Sequence, residues 1–298
     1  MRRFVLAAAL LALASCEKPP APPVANPPPE LPKLPELKPT EDFSKDEFLE
    51  LPDGPATPAW DLHENAHHYY AYVQEAHLIV AVTGGPESGK LTSRTQWKGD
   101  GEVIGGGQGR GELAFLASPI AQWNNAKPVP SEELNKVQKF VFLYQMGQDG
   151  VFTSFQLKSG QEDPLLDLFF TLPAGEMKPG DRSAREVHLA RIPDHLKFHG
   201  RQEFSHAGRR KVGRHECVKL LSRVDLEATP PGDGQGRLVG AIAAYFDPKE
   251  GKLVRADASL AMAVDVRREM RPADPKAAAF WQLHRVQGET RVTITLKD

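Results

Sequence analysis

The stretch from Lys252 to Val266, "KLVRADASLAMAVDV", constrains the fold more than any other. Val254, Ala256, Ala258, Leu260, Met262, Val264 and Val266 recur at every second residue, which puts them on one side of an extended chain. Arg255, Asp257, Ser259 and Asp265 fall on the other side. Such alternation predicts a strand buried on one face and wet on the other, the usual condition of antiparallel sheets. Upstream, "RLVGAIAAYF" and the turn Asp247-Pro248-Lys249-Glu250-Gly251 complete a hairpin.

The same arrangement repeats along the chain. "HYYAYVQEAHLIVAV" leads through a Gly/Pro/Ser turn into "KLTSRTQW", and "KFVFLYQM" and "VFTSFQL" flank Gly147-Gln148-Asp149-Gly150. "HLKFHGRQEF" and "ECVKLLSRVDLE" flank a basic connection from His206 to Arg214, and "TRVTITLKD" ends the chain with Val292, Ile294 and Leu296 inward. Helix signals are confined to Glu132–Val137, Pro164–Phe170 behind Asp163, Pro275–Trp281, and a short segment after Thr40 carrying Phe43, Phe48 and Leu51. Strands do not alternate with amphipathic helices, which argues against a parallel α/β sheet. Long strands with a Gly/Ala-rich stretch at Gly240–Ala244 favour coiling. The expected fold is mainly β: long antiparallel hairpins forming a curved sheet, half-barrel or barrel, with a few short helices.

Arg2 and Arg3 precede an apolar run from Phe4 to Ala14, too short for a permanent membrane span and suited to a signal peptide over residues 1–15. The run ends in Leu13-Ala14-Ser15-Cys16, which resembles the lipobox of bacterial lipoproteins. That resemblance implies cleavage before Cys16, lipid on its new amino terminus, and attachment to a membrane through several acyl chains. Glu17 after the cysteine implies, by the enterobacterial sorting rule, the outer membrane of the cell envelope. "PPAPPVANPPPELPKLPELKP" from Pro19 to Pro39 lacks too many backbone donors for helix or sheet, so residues 16–57 read as a polyproline-like tether. The β domain then occupies residues 58–298, with a division into similar halves at about 58–160 and 184–298 left open. Its repeated hairpins resemble half-barrel envelope proteins, lipoprotein carriers among them.

Net charge of −2 offers no electrostatic case for nucleic acid. With Cys16 lipidated, Cys217 is the one remaining thiol, and in "HECVKLL" it reads as buried and inert. Gly84, Gly89 and Lys90 have P-loop spacing, yet Leu91 stands where Ser or Thr must hold Mg²⁺ and "LTSRTQWKGDGEV" is a poor helix. The stretch reads as a hairpin reversal, and no nucleotide is expected. Gly105, Gly106, Gly107, Gly109 and Gly111 read as a flexible loop between hairpins. His195 and His199 share one strand face and are weak metal candidates among histidines that also include His63, His67, His68, His206 and His215. The basic run Arg209, Arg210, Lys211 and Arg214 reads as a solvated hairpin tip. Neither a nucleophile elbow nor a marked acid/base pair is present, so no enzyme activity, cofactor or firm metal site is expected. The expected function is a membrane-anchored binding or assembly module whose partner is an envelope protein or polymer. The alternative is a carrier of a lipid or other apolar ligand.

Overall fold

The computed structural model describes residues 28, 30–39, 41–85, 88–135, 140–159, 165–189, 196–230, 232–271 and 279–297. Its elements in chain order are β1 (Leu49–Leu51), β2 (His67–Thr83), β3 (Gly89–Gly107), β4 (Arg110–Asn124), β5 (Lys127–Pro128), α1 (Ser131–Leu134), β6 (Phe140–Gly147) and β7 (Phe152–Ser159). They continue with α2 (Leu166–Phe170), β8 (Arg182–Leu189), β9 (Lys197–Val212), β10 (His215–Thr229), β11 (Asp233–Asp247), β12 (Lys252–Met270) and β13 (Phe280–Leu296). All thirteen strands join one antiparallel sheet in the order β1-β9-β10-β11-β12-β13-β2-β3-β4-β6-β7, with β5 on β4 and β8 on β9. The halves flanking the middle of the chain are joined where β13 pairs with β2, from Leu283 opposite Thr83 to Leu296 opposite Tyr70.

The sheet curls without closing into a barrel. The short helix α2 shows by how much. Phe170 packs on Tyr70 of β2 at 5.8 Å and on Phe152 of β7 at 6.2 Å, and Gln202 of β9 donates from Nε2 to the Leu168 carbonyl at 2.9 Å. In a flat sheet β9 and β7 would stand roughly 40 Å apart at about 4.8 Å per strand, beyond the reach of a five-residue helix about 8 Å long. Curling brings both ends around one plug. Trp60 sits at its centre, against Phe170 at 5.7 Å, Tyr70 at 6.4 Å and Phe246 of β11 at 5.5 Å, with its indole N–H on the Phe170 carbonyl at 2.9 Å. Even-numbered residues of β12, from Ala256 to Leu260 and at Val264, face this plug with Val292 and Ile294 of β13, as their period demands. Val254, expected on the same face, packs instead with Tyr245 and Cys217 in a separate cluster, because the β11–β12 register shifts between Tyr245 and Phe246.

Expectation and structure part company in further places. Gly105–Gly111 is a two-residue β3–β4 hairpin, with Gln108 and Gly109 at positive φ, and not a loop. The glycine content admits a crossing chain: a Cβ on Gly105 would lie 2.1 Å from the His63 carbonyl. The connection His206–Arg214 is mostly strand, since β9 runs to Val212 and Arg209, Arg210 and Lys211 pair with β1. Residues 41–51 form no helix. Phe280 and Trp281, expected to end a helix, open β13, and residues 272–278 lie outside the described part. Finally, the second face of β12 is not wet: Ser259, Ala261, Ala263 and Asp265 are all buried.

Candidate functional site

Part of what buries that second face is the proline-rich segment itself. Proline supplies carbonyl acceptors but no donors, so this segment cannot pair as a strand, and the sheet meets it with side-chain donors instead. Gln235 of β11 donates to the Pro32 carbonyl at 2.7 Å, Arg285 of β13 to the Lys33 carbonyl at 3.5 Å, and Arg291 pairs with Glu41 at 3.0 Å. Residues 30–39 and 41–51 thus form a strap across the outer face, ending as strand β1 on β9. A cleft of about 600 Å³ remains between strap residues Glu36–Lys38 and His77–Ile79, Trp123 and Gly288 of the sheet.

Asp46 clasps the strap. Its carboxylate accepts from Lys219 Nζ at 2.5 Å, Tyr245 Oη at 3.0 Å and Arg210 Nε at 3.3 Å, and Lys219 also reaches the Ser44 carbonyl at 3.3 Å. The Lys219 side chain is wholly buried. Burial alone would push the Asp46 carboxyl up, but hydrogen bonds from Lys219 and Tyr245 and the charges of Lys219 and Arg210 outweigh it and hold it below the usual carboxylate range. Burial, with the Asp46 hydrogen bond, raises the Tyr245 hydroxyl well above its ordinary value. Phe48 completes the clasp, edge-on to Tyr245 at 4.9 Å and under the Arg255 guanidinium at 5.7 Å. Arg210, expected at a solvated tip, is therefore largely buried between Asp46 and Glu50.

Beyond the strap's crossing at His77–Ile79, the outer face of β2, β3 and β4 carries large apolar side chains in water. Tyr69 and Val73 of β2 are 50% and 44% exposed, and Leu116 and the bulged Ile120 of β4 are 44% and 47% exposed. Between the two strands, β3 presents Lys98 opposite Val73 and Asp100 opposite Leu116.

Cys16 and His195 lie outside the described residues. His199 stands opposite His188 of β8 and pairs with Glu227 at 3.0 Å. Gly84, Gly89 and Lys90 belong to the β2–β3 reversal: Gly84 has φ of 89°, and Lys90 pairs with Ala81 in the ladder. Cys217 is fully buried, and desolvation first, then the charges of Asp247 and Glu250, push its thiol up to about 12. His63, His67 and His77, like His199, each pair with one carboxylate, whereas His215, at the start of β10, meets two. Its Nδ1 lies 3.0 Å from Oδ2 of Asp247, the last residue of β11, and 3.7 Å from Oε2 of Glu250 in the β11–β12 turn. Nothing in the spacing of 215, 247 and 250 announces this; adjacency of two hairpins creates it.

These features define an open, curled antiparallel sheet with a packed inner face and a strapped outer one. No protein-family profile and no curated protein matches the sequence. Among solved structures the chain is similar to the crystal structure of Pseudomonas aeruginosa OccK11 (OpdR), with 8% identity over 80% of this chain and 99% of that one, at a TM-score of 0.17. At that score the likeness carries no inference about fold or function.

Proposed function

We propose that the chain is a lipid-anchored module of the bacterial cell envelope that binds or assembles a protein partner on the outer face of β2–β4. The observation that carries this reading is the uncovered group Tyr69, Val73, Leu116 and Ile120. Burying a large apolar side chain contributes about 1.5–3 kcal/mol, and half-exposed ones retain a good part of that for a partner. The charged row of Lys98 and Asp100 between them supplies polar contacts that set register. The inner face supports this reading over lipid carriage, because Trp60, Phe170 and their neighbours fill the space a carried chain would occupy. The lipobox ending at Cys16 supports attachment to the membrane, and Glu17 supports the outer membrane.

Two experiments test it. Cys16→Ala is expected to release the protein from the membrane fraction, and unchanged sedimentation with membranes would overturn the anchor. A photocrosslinking residue placed in cells at Tyr69 or Leu116 is expected to form a discrete protein adduct that one at Glu176, on the strand-poor side near Met177, does not. Equal labelling at all three positions, or recovery of stoichiometric lipid by solvent extraction of the purified protein, would sink the partner surface.

A further inference from the structure

We infer that His215, Asp247 and Glu250 form a binding site for one divalent transition-metal ion of the zinc class, clipping together the tips of the β9–β10 and β11–β12 hairpins. One ligand atom from each lies within 4.8 Å of the other two. Ligands about 2.0–2.1 Å from a tetrahedral ion stand roughly 3.3 Å from one another, and the distances of 3.0 Å and 3.7 Å from His215 Nδ1 to the two carboxylates bracket that value. The Glu250 side chain is 47% exposed, so once it leaves Lys252 it has room to adjust to the ion.

The two inner ligands are held in advance. Asp247 Oδ1 accepts the backbone N–H groups of Lys249 at 3.0 Å and Glu250 at 3.1 Å, which turns Oδ2 toward the imidazole. His215 and Asp247 are themselves buried, so their orientation is set by packing rather than by solvent. Glu250 closes the set on the solvent side, leaving a fourth position for water. One imidazole nitrogen with two carboxylates suits zinc-class ions, whereas calcium and magnesium sites are built from oxygen alone. The imidazole binds as a neutral ligand, so the proton on Nδ1 leaves or moves to Nε2 as the ion enters. A second proton-bearing group competes for the site: Lys252 Nζ lies 2.5 Å from Glu250 Oε2. Its ammonium occupies the charge the metal would take, and the ion must displace it.

That competition gives a test with opposite signs. The full chain is stripped with chelator and titrated with Zn²⁺ alone by calorimetry, with circular dichroism on every variant. The wild type is expected to take up one equivalent and to gain thermal stability in step with occupancy. Glu250→Gln is expected to weaken binding at least about tenfold, since even loss of a supporting contact to a metal ligand costs that much. Lys252→Met is expected to tighten it, and His215→Gln to abolish it. Co²⁺ in place of Zn²⁺ is expected to give tetrahedral visible bands with no thiolate charge-transfer band. No stoichiometric uptake by the wild type, Glu250→Gln binding as the wild type does, Lys252→Met binding no tighter, or a thiolate band placing the ion on Cys217 would each overturn the site. Should His215→Gln fail to fold, the exposed Glu250 and partly exposed Lys252 variants decide the matter between them.

Discussion

Asp46 shows what a single residue carries here. It comes from a segment without helix or long strand, yet three donors converge on it, one of them a lysine with no contact to water. Removing one partner of a buried ion pair leaves the other uncompensated and costs about 3–5 kcal/mol. Asp46→Ala should therefore cost on the order of 3 kcal/mol, read as faster amide exchange over Leu49–Leu51 and its partners Arg209–Lys211 before global unfolding. Acid should act in the same direction. The Asp46 carboxyl titrates lower in the folded protein than in the free chain. Its contribution is thus complete above about pH 4 and disappears as the pH falls through the lowered value. Protection over β1, corrected for the intrinsic pH dependence of amide exchange, that is unchanged between pH 6 and pH 3 would contradict this. None of it was legible from composition, because Lys219 and Arg210 read as ordinary surface charges until a partner more than 160 residues away is placed on them.

Elements divide according to how local their causes are. The hairpins were legible because alternation and turn glycines act over a few residues: "KFVFLYQM" and "VFTSFQL" pair across Gly147–Gly150 as their pattern requires. Gly150 also does something its neighbours in sequence do not reveal. It has φ of 73°, and a Cβ there would fall 1.8 Å from the Phe170 carbonyl, the same oxygen that receives the Trp60 indole. Gly150→Ala should cost at least about 2 kcal/mol, the left-handed penalty plus the displaced helix, and a urea midpoint equal to the wild type would refute it. The outer half of β9 was illegible for the opposite reason. Its glycine and basic residues lack strand propensity, and they extend because β1 and Asp46 arrive from far away. The same holds for the His215, Asp247 and Glu250 cluster, whose members meet only once β10 and β11 are neighbours.

For the molecule as a whole, the inner plug decides whether the long sheet holds one shape. A sheet of this width has no closing seam among the described residues, so its curvature rests on side chains that touch strands far apart in its order. Trp60 is the largest of them. Trp60→Ala should lower stability by about 3–5 kcal/mol and, because β2, β11 and α2 all lose their common contact, should do so cooperatively. Calorimetry of that variant should show one transition at lower temperature. Two separated transitions, one for each half of the chain, would mean that the plug does not unify them.

The strap alters the arithmetic of a membrane leash. Proline-rich residues 30–39 lie on the domain, so if lipid is attached at Cys16, the chain from there to Glu30 can span no more than on the order of 45 Å. A mooring that short, leaving from a fixed point beside Gln235 and Arg285, would limit how far the domain can roll. It would confine the apolar rows of β2 and β4 to a narrow band of height above the bilayer, where a partner fixed in the same membrane could meet them repeatedly.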